Sequence, residues 1–177
     1  GDALAEGARV VIVTRDDEAV RAAFTDAARA EAVLVRVDDA SAAVEALGRY
    51  HRERLMCPVI GVTGSTGKTT TKDFLRSVLA TRMRVVATPE NRNNELGVPL
   101  TLMEAGADTE ALVVEMAMRG PGQIEHLCSI ARPTDGLVTN VGVSHVEILG
   151  TEEAIASAKG ELVRAIPASG CVFLNGD

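Results

Sequence analysis

Short apolar runs alternate with helix-like segments along this chain, and this alternation constrains the fold more than any other feature. The runs "VIGVT", "ALVVE" and "GLVTNV" carry few polar residues, and segments of helical periodicity separate them. A strand that faces water on one side alternates polar and apolar residues, whereas a strand covered on both faces is apolar almost throughout. The sequence therefore predicts an α/β fold with a mostly parallel sheet and helices on both of its faces.

The predicted elements form two groups, and we place the domain boundary at the break "MCP", between residues 1–56 and 57–177. The first part is predicted to be a piece of a small α/β domain, with strands at 8–14 and 32–37 and helices at 15–30 and 41–55. The second part is predicted to have strands at 58–62, 83–88, 110–116, 136–141 and 171–175, and helices at 68–80, 123–131 and 152–166. Residues 89–99, "PENRNNELGVP", are predicted to be a polar loop.

Composition and charge exclude several classes of function. A formal net charge of −7 and an aromatic content of 2% argue against nucleic-acid binding, which needs a basic face and stacking side chains. No apolar run approaches the roughly 18 residues of a membrane helix. Three separated cysteines without a CxxC spacing predict free thiols rather than a disulfide framework or a zinc site. We expect a monomeric, cytoplasmic protein whose chain does not begin with a signal peptide.

The glycine-rich stretch "GVTGSTGKTTT" (61–71) follows a predicted buried strand and opens a predicted helix. Gly64 and Gly67 permit positive φ angles, so backbone N–H groups can converge on an anion at the helix N-terminus. Lys68 would bring a positive charge to the β- and γ-phosphates of a nucleoside triphosphate, and Thr69 would offer a hydroxyl to Mg²⁺. We predict that the whole loop holds phosphates: Gly64, Ser65, Thr66, Gly67, Lys68, Thr69 and Thr70.

The loop is shorter than the general pattern G-x-x-x-x-G-K-[ST], because Val62 stands where that pattern has its first glycine. A phosphate-loop kinase or NTPase would need the longer loop and an Asp at the end of its metal-binding strand. A non-catalytic nucleotide-binding module is compatible with the residues. The helix after the loop is predicted to anchor it by burying one face, made of Phe74, Leu75, Val78 and Leu79.

Four motifs give the chain a resemblance to a known family: "TGSTGKT" (63–69), "NRNNELGVPLTLM" (91–103), "VVEMAMRGPGQI" (113–124) and "TNVGVSHVEILGTEEAIASAKGEL" (139–162). In type, order and spacing they resemble the Mur ligases of peptidoglycan synthesis, and the resemblance extends over residues 57–177. Ala117 and Val143 depart from the Gly and Pro expected beside the motifs. The resemblance implies a fragment: an incomplete ATP-binding central domain of the phosphate-loop type, preceded by the end of the domain that holds the uridine nucleotide substrate.

Glu115 ends a predicted buried strand beside the phosphate loop, where a carboxylate suits Mg²⁺, and an ordinary strand-end surface acid is the alternative. Taken alone, His145 is typical of an ordinary loop histidine and Lys159 of a solvated helical lysine, so these two residues gain a role only from the resemblance. The resemblance implies that Glu115 binds Mg²⁺, and that His145 binds a second Mg²⁺ together with a Lys159 carbamylated by CO₂. Such a lysine needs a lowered pKa, so we predict that Lys159 is partly buried. Three amides that are turn formers by residue type are placed by the resemblance in the active-site cleft: Asn93, Asn94 and Asn140.

The activity that the resemblance implies is ATP-dependent amide bond formation with two Mg²⁺ ions. ATP would transfer its γ-phosphoryl group to a peptide carboxylate, and an amine would then displace phosphate from the acyl phosphate. The motifs at 91–103 and 113–124 are most similar to the ligase that adds D-alanyl-D-alanine to UDP-N-acetylmuramoyl-tripeptide. Another Mur-type ligase and folylpolyglutamate synthase are alternatives. Lys68, His145 and Lys159 are the residues implied in catalysis, and the fragment alone is expected to be inactive.

Overall fold

The computed structural model describes residues 6–15, 17–27, 32–142 and 151–176, and it confirms the α/β class. Its strands are β1 (Val10–Val13), β2 (Val33–Arg36), β3 (Val59–Thr63), β4 (Val85–Ala87), β5 (Ala111–Glu115), β6 (Asp135–Val138) and β7 (Val172–Leu174). Its helices are α1 (Glu18–Ala27), α2 (Ala40–Arg52), α3 (Lys68–Leu79), α4 (Gly97–Met103), α5 (Gln123–Ala131) and α6 (Glu152–Ala165). No helix in the described ranges is both long enough and apolar enough to cross a bilayer.

The chain divides into two compact units, Gly1–Ala43 and Val44–Asp177. In the first, β1 and β2 pair in parallel. In the second, five strands form one sheet in the order β4-β5-β3-β6-β7, and every pair is parallel. All five residues of β5 are buried, as expected for a strand covered on both faces. The carboxyl ends of β3, β5 and β6 therefore meet at one edge near the middle of the sheet, where ligands bind in such folds.

Helix α6 packs closely on the centre of this sheet. A Cβ added to Gly61 on β3 would lie 2.8 Å from Leu162, and one added to Gly136 on β6 would lie 3.1 Å from Ile166 and 3.3 Å from Leu162. Lys159 lies three residues before Leu162 and so projects from the same side of the helix. The close packing of α6 on β3 and β6 therefore fixes the position of Lys159 relative to the carboxyl ends of these strands.

Helix α2 spans the division between the units, and its second half packs within the sheet unit. The guanidinium of Arg52 donates to the carbonyl oxygens of Ala131 and Arg132 at 2.7 and 2.9 Å. Gly48 is buried against Pro99, close enough that an added Cβ would lie 2.6 Å from the Cβ of Pro99. The domain boundary expected between residues 56 and 57 stays a prediction, since it concerns which residues belong to a substrate-binding domain.

Two local expectations are wrong. Phe74 and Val78 on α3 are 69% and 63% exposed, and Leu75 and Leu79 are only partly buried. The residue that this helix buries is Lys72, so its inward face is not the one that the apolar residues predicted. The predicted loop 89–99 runs into helix α4, which continues to Met103. The carbonyl oxygen Oδ1 of Asn94 accepts hydrogen bonds from the first N–H groups of that helix, so a polar segment read as a loop contains a helix start.

Candidate functional site

A cavity of about 1000 Å³ opens at the carboxyl ends of the central strands. It is bordered by the glycine-rich loop after β3, by the segment before α4 and by the segment that links β5 to α5. The residues predicted from sequence that line it are Gly64, Lys68, Asn93, Asn94 and Lys159. The fold therefore brings the loop lysine and the helical lysine, 91 positions apart in the chain, to one cavity.

The loop ends in a helix start that has no side-chain cap. Gly67 is the N-cap of α3 with a φ of 77°, a left-handed conformation that glycine adopts at little cost. The first N–H groups of a helix have no partner within the helix, and among the residues that the structure describes no side chain accepts from them at this cap. Gly64 has a φ of 152°, and a Cβ there would collide with Oγ1 of Thr139. The loop therefore presents free backbone donors at the positive end of a helix dipole, which suits an anion.

Residues after β6 brace this loop. Thr139 donates from Oγ1 to the carbonyl oxygen of Thr66 at 2.6 Å. Asn140 accepts from the N–H of Thr66 at 3.0 Å and donates to its hydroxyl at 2.8 Å. Ser65 is 8% exposed and exchanges hydrogen bonds of 3.0 Å with the backbone of Gly142. Asn140 and Ser65 thus support the loop in this conformation, which holds its donors in place without needing a ligand.

Lys68 folds back over the loop that precedes it. Its Nζ donates to the carbonyl oxygens of Gly64 at 2.7 Å and Ser65 at 3.2 Å. Burial lowers the pKa of Lys68, and the nearby carboxylate of Glu115 acts in the opposite direction. The ammonium therefore sits between the loop and the end of β5, within the same cavity.

Glu115 is the last residue of β5, and its buried carboxylate has a described hydrogen-bond partner at only one of its two oxygens. Its side chain is 1% exposed, and Oε1 accepts a hydrogen bond of 2.8 Å from Nδ2 of Asn93. In the described part of the chain, Oε2 is buried without any hydrogen-bond partner. A buried carboxylate oxygen without a donor is costly unless a cation or another donor satisfies it. The residues at this point therefore fit a divalent cation with a preference for oxygen ligands.

Lys159 is the most deeply buried of the predicted site residues that carry a positive charge, at 2% exposure. Burial, and secondarily the charge of Lys68, lowers the pKa of Lys159 from 10.5 to about 8. At pH 7 a larger fraction of its amine is therefore uncharged than on an ordinary lysine. Within the described ranges, no three His, Cys, Asp or Glu side chains come together as a metal cluster.

The remaining predicted residues have mixed positions. Thr69 and Thr70 lie exposed in the first turn of α3. Asn94 lines the cavity, but its Oδ1 serves the start of α4 rather than a ligand. His145, and with it Val143, lies outside the described residues. The three cysteines are free, as expected.

Sequence reasoning missed two buried charged residues that hold the site together. Lys72 on α3 is 3% exposed, and Glu161 on α6 is 7% exposed. Glu161 accepts from the N–H groups of Gly122 at 2.7 Å and Glu125 at 2.9 Å, and so caps α5 from a neighbouring helix. A charged residue within a helical segment normally lies at the surface, so only their tertiary contacts distinguish Lys72 and Glu161 from surface charges.

The chain is similar to known proteins in both sequence and structure. A family model described as the Mur ligase middle domain matches residues 62–177. The chain is 49% identical, over 141 residues, to a UDP-N-acetylmuramoyl-tripeptide–D-alanyl-D-alanine ligase of Synechocystis, a match that covers 80% of this chain and 31% of that protein.

Solved structures agree with this match. MurF from Acinetobacter baumannii is similar with a TM-score of 0.83 and 32% identity, covering 98% of this chain and 36% of that one. MurF ligase from Thermotoga maritima, solved in complex with ADP, has a TM-score of 0.80 and 31% identity, covering 97% of this chain and 44% of that one. The chain thus spans between 31% and 44% of the length of these three relatives.

Proposed function

The chain belongs to the Mur ligase family, and on this premise we propose that its cavity binds ATP for amide bond formation in peptidoglycan synthesis. The proposed reaction adds D-alanyl-D-alanine to UDP-N-acetylmuramoyl-tripeptide, the activity in the name of the Synechocystis relative. One observation carries the proposal. The uncapped start of α3 and the ammonium of Lys68 lie beside the carboxylate of Glu115, whose Oε2 has no partner in the described part of the chain.

The loop and Lys68 are proposed to hold the phosphates of ATP. The N–H groups at the start of α3 would bind phosphate oxygens, and Lys68 would exchange its bonds to the loop carbonyls for the β- and γ-phosphates. The first step brings a peptide carboxylate towards a triphosphate, and both groups are anionic. Positive charge already fixed in the cavity lowers that barrier, because it need not reorganise during the reaction. The ADP complex of the Thermotoga maritima ligase supports a nucleotide as the ligand.

Glu115 and Thr69 are proposed to hold Mg²⁺, with the nucleotide completing its coordination. Mg²⁺ is usually bound by one or two protein oxygens together with phosphate oxygens and water, so this small donor set is sufficient. When bound, the ion neutralises charge on the phosphates during phosphoryl transfer. Asn93 is proposed to orient Glu115, because its amide occupies Oε1 and leaves Oε2 for the metal.

A second Mg²⁺ is proposed at Lys159 and His145. Lys159 as an ammonium would repel a cation, so it is proposed to lose its proton first. Its uncharged amine would then add to CO₂ and release a second proton, which leaves an anionic carbamate. The lowered pKa and the burial of Lys159 support this reaction, because only the uncharged amine attacks CO₂. Asn94 and Asn140 are proposed to line the same cleft, and Asn140 also supports the loop.

Further proposals concern the domains of the chain and the full ligase. We propose that residues 1–56 belong to the domain that binds the uridine nucleotide substrate, and that 57–177 belong to the ATP-binding domain. The full ligase is proposed to act in the cytoplasm as a monomer. The 177-residue chain by itself is proposed to bind nucleotide weakly and to be inactive, which a phosphate-release assay of the isolated chain would check.

The decisive experiment measures phosphate release by the intact ligase with ATP, UDP-N-acetylmuramoyl-tripeptide and D-alanyl-D-alanine. Lys68→Ala should lower kcat by about 10²–10³-fold, equivalent to about 2.7–4 kcal/mol, the range for losing one preorganised donor. Arg76→Ala, an exposed cation on the same helix, is the matched control and should leave kcat unchanged. Turnover with a single amino acid but not with the dipeptide would instead identify another Mur-type ligase, and near-normal turnover by Lys68→Ala would contradict the assignment of Lys68.

A further inference from the structure

Helix α3 buries an ammonium group that the proposed reaction does not yet use. Lys72 lies one helical turn beyond Lys68 and is 3% exposed. Lysine is almost never fully buried without a partner, because removing its charge from water is costly. The contacts of Lys72 therefore indicate what this helix is held against.

Lys72 is bound to the end of strand β4. Its Nζ donates a hydrogen bond of 2.9 Å to the carbonyl oxygen of Thr88, the residue directly after β4. Oδ1 of Asp73, a side chain that is 58% exposed, lies 3.1 Å from the same Nζ. Asp73 balances the charge, while the bond to Thr88 sets where α3 meets the sheet.

Thr88 in turn holds the metal-facing carboxylate residue. Its side chain is buried, and its Oγ1 accepts a hydrogen bond of 2.9 Å from the backbone N–H of Glu115. Its own N–H donates to the carbonyl oxygen of Val113 at 3.0 Å. Thr88 thus accepts a hydrogen bond from Lys72 through its carbonyl oxygen, and one from Glu115 at the end of β5 through its hydroxyl.

We propose that Lys72 is a positioning residue for the metal site, and this inference rests on the proposed function. Because α3 begins at the phosphate loop, the chain Lys72–Thr88–Glu115 joins that helix to the backbone of Glu115 through two hydrogen bonds. Mg²⁺ bound to a nucleotide must contact both the phosphates and Glu115, so the distance between them decides its affinity. Lys72 holds that distance and touches neither metal nor nucleotide itself.

A residue that only stabilises the fold would behave differently on substitution. Thermal stability alone cannot identify this role, because Lys72→Met removes a buried ammonium and also leaves the carbonyl oxygen of Thr88 without that donor, whatever Lys72 does for the metal. Partners that orient a metal ligand without touching the metal typically change metal affinity by about 10–100-fold. The discriminating quantity is therefore the affinity for the metal, measured separately from the affinity for the nucleotide.

The test uses the intact ligase, with Mn²⁺ as the probe and ADP as the nucleotide. Free Mn²⁺ is measured by electron paramagnetic resonance, and binding of ADP without metal is measured by calorimetry. Lys72→Met should raise the Mn²⁺ dissociation constant in the presence of ADP by about 10–100-fold, while metal-free ADP affinity changes less than about threefold. Arg76→Met, an exposed cation on the same helix, is the control and should change neither quantity.

Variants of Thr88 test the hydrogen bond between Thr88 and Glu115, and they replace Lys72→Met in the experiment if that variant does not fold. Thr88→Val removes the hydroxyl that accepts from Glu115 and should weaken Mn²⁺ binding in the same way, whereas Thr88→Ser keeps that hydroxyl and should restore it. Unchanged Mn²⁺ affinity in Lys72→Met or Thr88→Val, or an equal loss of metal-free ADP binding, overturns the inference about Lys72. Failure of the unsubstituted ligase to bind Mn²⁺ with ADP overturns the proposed function itself.

Discussion

Two lysines meet at the cavity, and they differ in how their charges are compensated. Lys68 donates to two loop carbonyls and lies near the carboxylate of Glu115. Lys159 is more deeply buried, and the charge of Lys68 adds to the cost of protonating it. Lys159 is therefore destabilising as an ammonium and reactive as an amine, a combination that suits a site rather than a structural role.

We predict that Lys159→Met stabilises the metal-free chain in a pH-dependent way. The pKa of Lys159 is about 8 in the folded state against 10.5 for an ordinary lysine, so the unfolded state binds more protons between these values. Wild-type stability should thus rise from pH 8 to 10.5, and the full penalty, on the order of 3 kcal/mol, is present below pH 8.

The measurement is urea unfolding of both chains with chelator in CO₂-free buffer. The advantage of Lys159→Met should be largest at pH 7 and should shrink as the pH rises from about 8 towards 10.5. An advantage that stays constant with pH, or a less stable variant at pH 7, would contradict the burial of a proton-binding amine.

At the scale of elements, the helices around the cavity begin in different ways. Helix α6 has a local cap, because the side chain of Thr151 accepts from the N–H of Ala154. Helix α5 begins after Gly122, which has no side chain, and Glu161 on α6 supplies the cap instead. Helix α3 has no side-chain cap, and its donors face the proposed phosphate site. A side chain from another helix thus caps α5, whereas α3 leaves its first N–H groups for the proposed ligand.

We predict that Glu161→Gln destabilises the chain by about 1–2 kcal/mol. Glutamine keeps one acceptor oxygen but loses the second acceptor and the negative charge at the start of α5. Glu125→Gln is the matched control, because Glu125 lies exposed in the first turn of the same helix, and it should cost less than about 0.5 kcal/mol. Chemical unfolding compares the free energies of unfolding of the two variants. Equal losses would mean that the hydrogen bonds of the buried Glu161 add nothing to the effect of the helix dipole.

At the scale of the whole molecule, the second half of α2 belongs physically to the sheet unit. Besides Arg52 and Gly48, His51 bonds through Nε2 to the carbonyl oxygen of Ala105 at 2.7 Å. Leu55 just beyond the helix is part of the hydrophobic core. Removing this segment would leave core surface and backbone acceptors of α4 and α5 exposed.

We predict that a chain shortened to residues 44–177 keeps the thermal midpoint of the sheet unit within about 3 °C, while one shortened to 57–177 loses at least about 10 °C. The first keeps every contact of α2 described within the sheet unit, and the second loses hydrogen bonds and core packing worth on the order of 5 kcal/mol. Circular dichroism melts of the two chains would decide, and equal midpoints would show that α2 does not support the sheet.

Much of the fold follows from neighbouring residues and could be predicted. Strand and helix order depends on hydrophobic periodicity, and the phosphate-loop conformation depends on glycines and a lysine at fixed spacing. The sheet order β4-β5-β3-β6-β7 was not predicted, and it is this order, with β3 beside β5, that brings Lys68 and Glu115 together. Helix α4 escaped prediction because Asn94 starts a helix inside a stretch whose composition is typical of a loop.

The sequence by itself determined an α/β sheet with a phosphate-type loop at its carboxyl edge, because period and spacing are properties of consecutive residues. Only the tertiary structure decided which charges are buried. Lys72 and Glu161 look like surface charges in the sequence, as Lys159 does without the family resemblance, and each is buried because a distant element packs over it. Burial, pairing and the resulting pKa depend on contacts between elements, which no local pattern records.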